Sequence, residues 1–141
     1  MKKQIQIFTA TLVFLFFATN ISAQSDENPL LVVSSQKVKM TDMGKVNKLF
    51  NEKIAPILNG LVDEGMLYSW GLFTHAWGDE WNSNVWYVAK DMQAFSTFWD
   101  EYVKRIGEQQ KEAWAELRGY IMEHKDNIYT IQNQYPVPPQ N

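Results

Sequence analysis

The chain contains no cysteine and only two histidines among its 141 residues. Without cysteine there are no disulfide bonds, thiolate metal sites or cysteine nucleophiles. The sequence also lacks a serine-nucleophile motif, a glycine-rich phosphate loop and a pair of metal-binding histidines. We therefore predict a fold held together by packing alone, with no metal and no cofactor.

Basic residues are outnumbered by acidic ones. The chain has 13 lysines and arginines against 16 aspartates and glutamates, which gives a formal net charge of −3. Proteins that bind nucleic acid concentrate positive charge on one face. This balance argues against nucleic acid as a partner.

Residues 1–23 have the pattern of a secretory signal peptide. Two lysines precede an apolar run over 5–18, and the segment ends on the small residues Ser22 and Ala23. The alternative is a membrane anchor, but the fully apolar part is shorter than the ~20 residues that a spanning helix needs. We predict cleavage after Ala23, a periplasmic or secreted protein, and no stable membrane insertion after cleavage.

The mature chain would have 118 residues, enough for one domain with its own core. Cleavage removes two lysines, so 11 basic residues remain against 16 acidic ones and the formal charge becomes −5. We predict a polar leader over 24–29, a single domain over 30–135, and a disordered or extended tail over 136–141.

Hydrophobic periodicity within 30–135 predicts the element order β-α-β-β-α-β. Runs of β-branched and aromatic residues bounded by turn residues indicate four strands. These strands are predicted over Leu30–Met40, Met66–Trp77, Asn82–Lys90 and Asp126–Tyr135. The turn between the second and third strands is predicted at Gly78-Asp79-Glu80.

Two helical regions are predicted between the strands. The first begins after Thr41 or Asp42 and ends at Gly65, with a kink or break near 52–55 because Pro56 removes a backbone donor. The second begins at the capping residue Asp91 and is interrupted at Gly107. Helical spacing then continues through Trp114, Leu117 and Ile121.

This order predicts an α+β, ferredoxin-like fold: a four-stranded antiparallel sheet with the helices on one face. The strands over 66–77 and 82–90 are apolar on both faces, whereas a sheet with one covered face alternates apolar and polar residues. Helices on one side leave the other apolar face uncovered, and such a face marks an interaction surface. We predict a homodimer that pairs sheet face to sheet face.

The chain resembles the dimeric α+β barrel superfamily, and within it small secreted bacterial proteins. The likeness covers roughly 30–135 and rests on the element order, the internal proline, the strand-turn-strand HAWGDEWN (75–82) and the helix DMQAFSTFWDEY (91–102). It implies ferredoxin-like subunits that pair into a barrel. It leaves function open, because the superfamily holds cofactor-free oxygenases, haem-degrading enzymes, isomerases, ligand-binding regulators and stress proteins.

The segment from Tyr68 to Tyr87 is the richest in aromatic residues. It holds four of the six tryptophans, and such rings bury large areas or line pockets. We predict a pocket in the cleft between helices and sheet, lined by aromatic rings with a few polar groups. The predicted ligand-binding residues are Trp70, Trp77, Trp81, Asn82, Asn84 and Tyr87.

His75 is the candidate catalytic residue, because an imidazole can act as an acid or base near neutral pH. The alternative is a half-buried histidine with a structural hydrogen bond near a strand end. The resemblance also extends to haem-degrading members of the superfamily, in which a histidine, a tryptophan and an asparagine from separate elements surround the haem. His75, Trp81 and Asn82 lie in one hairpin instead, so those roles are not carried over.

Two further groups of polar residues have ordinary explanations. Asp79 and Glu80 could chelate a metal with His75, but acidic residues in a Gly-Asp turn are typical of a solvated turn. His124 is interpreted as a cation near the end of a helix, where it suits the helix dipole.

Taken together, these patterns predict an exported homodimer that binds a small aromatic or apolar molecule. One alternative is a cofactor-independent oxygenase or isomerase with His75 as its base. The other is a non-catalytic structural or interaction dimer. A pocket of ~300 Å³ or more beside His75 would favour a ligand-binding function, and a filled interior would favour the interaction dimer.

Overall fold

The structure is a computed structural model that describes residues 28–75, 77 and 81–133. The predicted signal peptide, most of the leader, the Gly78-Asp79-Glu80 turn and the tail lie outside the described residues. In chain order the strands are β1 (Leu30–Val38), β2 (Ser69–Thr74), β3 (Ser83–Ala89) and β4 (Ile121–Thr130). The helices are α1 (Met43–Leu49), α2 (Ala55–Asp63), α3 (Met92–Gln109) and α4 (Lys111–Tyr120).

The four strands form one antiparallel sheet in the order β2-β3-β1-β4, with the helices packed on one face. Residues directly opposite in the ladder include Trp70 and Tyr87, and Val32 lies opposite both Tyr87 and Ile128. This is the predicted ferredoxin-like architecture. The sheet is not closed on itself.

The hydrophobic core lies between the helices and this sheet. Helical spacing brings Ile54, Leu58 and Leu61 fully into the interior from the first helical region. Phe98 and Tyr102 enter from α3, four residues apart on one helix face. These side chains pack on Val32, Val85 and Tyr87 of the sheet. The space between helices and sheet is therefore filled with side chains.

The opposite side of the sheet is called the open face here and is defined by Leu31, Val33, Phe73, Trp86 and Tyr129. Their side chains alternate along the strands with those that face the helices. Of the elements that the structure describes, none packs on this face. Phe73 is 49% exposed and Tyr129 is 50% exposed.

The predicted break before Pro56 is confirmed. A π-helical segment over Phe50–Ile54 separates α1 from α2, and Pro56 lies in the first turn of α2. Asp42 occupies the position before α1 but makes no side-chain capping bond there. Gly65 follows α2 with φ of 77°, a conformation that favours glycine, so it ends the helix as predicted.

The second helical region differs from the prediction in one respect. Asp91 caps α3 as expected, because its Oδ1 accepts a hydrogen bond from the Ala94 N–H at 2.7 Å. Gly107 does not interrupt the helix. The break comes at Gln110, whose φ of −138° lies outside the helical range, and α4 follows at once.

All four strands differ from their predicted bounds, β1 and β3 by only one or two residues and the other two by more. The second begins three residues later than predicted and ends at Thr74, because only Ser69–Thr74 pair with β3. The fourth begins at Ile121 and not at Asp126, because it pairs along the whole of β1, from Val38 to Leu30. His124 is therefore an exposed strand residue, and its interpretation as a helix-end cation is wrong.

None of the helices within the described residues is both long enough and apolar enough to cross a membrane.

Candidate functional site

Trp70 is anchored on the helix side of β2. Its Nε1–H donates a hydrogen bond to Asn59 Oδ1 of α2 at 3.1 Å. Its ring centroid lies 5.9 Å from that of Phe50, with the rings tilted by 50°. These two contacts fix the indole over the rim of the core, where it remains partly exposed.

Tyr87 lies next to Trp70 across the ladder but is only 3% exposed. Its ring centroid is 5.4 Å from that of Phe98 and 6.2 Å from that of Trp99. Burial raises the pKa of Tyr87 well above its usual value, and the neighbouring Tyr102 raises it further. Tyr87 is thus a neutral core residue, and the cleft where the pocket was predicted is packed at this point.

Asn82 holds the backbone of β1 at a bulge. Its Oδ1 accepts from the Val38 N–H at 2.9 Å, and its Nδ2 donates to the Val38 carbonyl at 2.7 Å. β1 shifts register against β4 at Lys37 and Val38, and on its other side its backbone ladder with β3 ends at Gln36 and Ser83, so the side-chain amide supplies the next partners there. The amide is 8% exposed, and this pairing assigns it a structural role.

Asn84 and Trp81 form a second structural pair near the start of β3. Asn84 Nδ2 donates to the Trp81 carbonyl at 3.1 Å. The Nζ of Lys125 on β4 lies 4.3 Å from the Trp81 ring centroid, within the range of a cation–π interaction. The Trp81 indole therefore contacts a side chain of β4.

His75 and Trp77 lie beyond the end of β2. The backbone N–H of His75 donates to the Asn82 carbonyl at 3.3 Å, and the residue is half-buried. Trp77 is 90% exposed. Asp79 and Glu80 lie outside the described residues.

Apart from the exposed Trp77, the predicted site residues form two groups. Trp70 and Tyr87 are neighbours on the helix side of the sheet. His75, Trp81, Asn82 and Asn84 gather near the other end of the hairpin, roughly 16 Å away for five residues of strand. The structure does not bring the two groups into one pocket.

A surface depression of about 380 Å³ opens beside Trp70. It lies at the rim of the helix–sheet interface, between the end of α2 and the start of the edge strand β2. Its lining is Asn59, Val62, Asp63, Tyr68, Ser69 and Trp70, so it excludes His75.

The residues of α2 in this lining were not among those predicted to bind a ligand. Asn59 and Asp63 are four residues apart, a spacing that places both on one face of a helix. That spacing was the available signal, but polar residues on an amphipathic helix ordinarily face solvent.

Among residues 28–75, 77 and 81–133, no three histidine, aspartate or glutamate side chains are placed to hold a metal ion.

Comparison of the sequence with family models gives no match, and comparison with curated proteins gives none either. Solved structures do match. A NIPSNAP family protein from Agrobacterium tumefaciens aligns with a TM-score of 0.60 and 14% identity, over 80% of this chain and 94% of its own. A dimeric ferredoxin-like protein from an uncultured marine organism aligns at 0.61 and 9%, over 78% and 92%.

A third similar structure comes from Nitrosomonas europaea and is described as an antibiotic biosynthesis monooxygenase. It aligns with a TM-score of 0.56 and 11% identity, over 79% of this chain and 95% of its own. Identities this low carry information on fold alone. The chain shares the ferredoxin-like fold of these structures, which is the fold that the resemblance in its sequence implies.

Proposed function

We propose that the chain is exported and forms a homodimer that binds a small aromatic or apolar molecule. The observation that carries the binding function is the depression beside Trp70. A volume of about 380 Å³ lies within the size range of small-molecule sites, and aromatic rings with a few polar groups are their usual lining.

The open face supports the homodimer. Aromatic side chains as exposed as Phe73 and Tyr129 on one sheet face are typical of an interface. A second copy would cover this face by packing sheet on sheet, with the two sheets about 10 Å apart. The similar marine protein is itself described as dimeric.

A matched pair of substitutions on β4 tests the dimer. Tyr129 and Ile128 are adjacent and equally exposed, at 50% and 51%, but they lie on opposite faces of the sheet. Tyr129→Glu would place an unpaired charge at the interface and weaken the dimer by about 100-fold or more, since such a charge costs several kcal/mol. Ile128→Glu would leave the dimer intact.

Sedimentation equilibrium of both variants at micromolar concentration measures the difference. A monomeric unmodified protein at that concentration would overturn the proposed dimer. Equal weakening by the two substitutions would overturn the assignment of the open face.

Native mass spectrometry of the protein purified from its own host tests binding. We expect a small molecule to be retained and to be lost in Trp70→Ala. Trp99→Ala is the control, because Trp99 is also partly exposed but does not line the depression. Retention by Trp70→Ala at the level of the control would overturn this location.

The packed helix–sheet interior supports a second candidate function, the non-catalytic interaction dimer. Tyr87, Phe98 and Tyr102 occupy the cleft that a substrate would need. A dimer that retains no small molecule in the native mass spectrum would favour this candidate. The oxygenase or isomerase with a histidine base is supported only by the accessible position of His75 at the end of β2.

Export is tested by N-terminal sequencing of the protein from its host. Removal of residues 1–23 is the expected result, because the pattern of charge, apolar run and small residues is that of a cleaved signal. An intact Met1 in a cytosolic fraction would overturn the proposal.

A further inference from the structure

We propose that the depression beside Trp70 binds a small organic cation, such as an amine or a quaternary ammonium compound with an apolar body. This inference rests on the proposed binding function and adds the charge of the ligand to it. Three features of the lining support it: the aromatic walls, the carboxylate, and the lack of basic groups.

The aromatic walls are Tyr68 and Trp70, two residues apart at the start of β2. The electron-rich face of an aromatic ring attracts a cation, and tryptophan gives the strongest such interaction. The Trp70 ring is held in place by its hydrogen bond to Asn59 and its contact with Phe50. A ring that is already ordered loses little conformational entropy when a ligand binds.

The carboxylate is that of Asp63, the last residue of α2. No lysine or arginine within the described residues forms an ion pair with it. The guanidinium of Arg105 is occupied by the next residue, Glu64, at 2.6 and 2.7 Å, and by Glu101 at 2.8 Å. Asp63 also stands at the C-terminal, negative end of the α2 dipole, where a cation is stabilised.

The rest of the lining contains no lysine, arginine or histidine. An anionic ligand would therefore meet the Asp63 charge without a compensating partner. A neutral ligand would gain the aromatic contacts but no charge–charge attraction to the carboxylate. The depression favours a cation over both.

Choline and its neutral isostere 3,3-dimethylbutan-1-ol provide the test. They differ in one atom at the branched centre and in the positive charge. Each is titrated into the full purified protein and binding is followed by isothermal titration calorimetry. We expect choline to bind about 10-fold more tightly than the alcohol, the scale of a cation–π contact aided by a carboxylate.

Asp63→Asn should weaken choline binding by about 10-fold and leave the alcohol unchanged. Asp100→Asn is the matched control, since Asp100 is an exposed aspartate on α3 outside the lining, and it should change neither. Salt should weaken choline binding to the unmodified protein, because the charges lie near solvent.

The outcomes separate this inference from the proposed function. If the two probes bind with equal affinity and both lose binding in Trp70→Ala, the preference for a cation is overturned. The location of the binding site is then still supported. A loss of choline binding in Asp100→Asn equal to that in Asp63→Asn would also overturn it, as a general charge effect. Binding of neither probe at tens of millimolar would overturn the cation proposal, while a different small molecule retained in the native mass spectrum and lost in Trp70→Ala would still support the proposed function.

Discussion

The indole of Trp86 lies directly against Gly71 of the neighbouring strand. The two residues are opposite each other in the β2–β3 ladder, and a Cβ placed on Gly71 would come within 2.5 Å of Trp86 Nε1 and 2.6 Å of Cε2. Real Cβ atoms are not found that close to a ring. The glycine is therefore what allows Trp86 to lie flat on the open face.

Gly71→Ala should destabilise the protein by about 1–3 kcal/mol, because the added methyl group displaces the Trp86 ring. Gly107→Ala is the control, since a Cβ there meets no atom within 4 Å and alanine is the better helix former. That substitution should stabilise α3 by about 0.5–1 kcal/mol. Thermal denaturation at one protein concentration compares the two. Similar effects in the same direction would contradict the contact.

Asn82→Ala should cost about 2–3 kcal/mol of unfolding free energy. The substitution removes both hydrogen bonds to Val38 and leaves a backbone N–H and a carbonyl unpaired in a buried position. Asn82→Asp keeps the acceptor for the Val38 N–H but places a carboxylate oxygen against the Val38 carbonyl in a buried position, so its cost should be at least as large. Urea denaturation measures both. A stable Asn82→Ala variant with altered ligand content would instead support Asn82 as a binding residue.

Stability should decrease in acid partly through Glu64. The hydrogen bonds from Arg105 lower the pKa of Glu64 below its usual value of 4.5, so the folded state favours the carboxylate. A lowered folded-state pKa stabilises the protein above the unfolded pKa, and this contribution is lost as the pH falls through the folded value. Glu64→Gln should therefore reduce the pH dependence of the melting temperature below about pH 4.5.

Glu116→Gln is the control for that experiment, because Glu116 is exposed on α4 and forms no bond with Arg105. Melting curves between neutral pH and about pH 3 cover the range in which glutamates titrate. An unchanged pH profile in Glu64→Gln would show that the ion pair contributes nothing to acid stability.

His75→Ala tests the histidine-base alternative. If the imidazole serves a ligand, the melting temperature should fall by less than about 8 °C, and the backbone N–H bond to Asn82 survives the substitution. Activity or ligand retention would fall if the imidazole serves a ligand. His124→Ala, an exposed histidine on β4, is the control. A larger fall with unchanged ligand content would show that His75 belongs to the core.

The sequence was sufficient to predict the element order, because apolar periodicity is a local signal. The residues that mark helix boundaries, Asp91, Pro56 and Gly65, are local signals as well. The start of β4 was not predictable in the same way. Residues 121–126 carry mostly polar side chains on an edge strand, so they lack a strand pattern. They become a strand because β1 offers them backbone partners, which is a long-range effect.

The lining of the depression could not be predicted from the sequence for a related reason. Trp70 and Tyr87 share one face, and Trp86 points to the other, but strands that are apolar on both faces give no alternation from which to assign a side. The role of Asn82 depends on its two hydrogen bonds to Val38, 44 positions away in the chain. Asn59 and Asp63 reach the depression only through the packing of α2 on β2.

The π-helical segment over Phe50–Ile54 changes the direction in which side chains point around the helix axis, and so keeps the buried row facing the sheet. The buried residues Val46, Phe50, Ile54 and Leu58 recur every four positions. In a regular α-helix, at about 100° per residue, such a row would advance by about 40° at each step and turn away from the sheet. The wider turn, closed by the Ala55 N–H on the Phe50 carbonyl, takes up part of that rotation. Removing one residue here, such as Asn51, would leave Val46 and Ile54 seven positions apart, a spacing that a regular α-helix returns to the same face within about 20°. The shortened segment should therefore become α-helical with Val46 still directed toward the core.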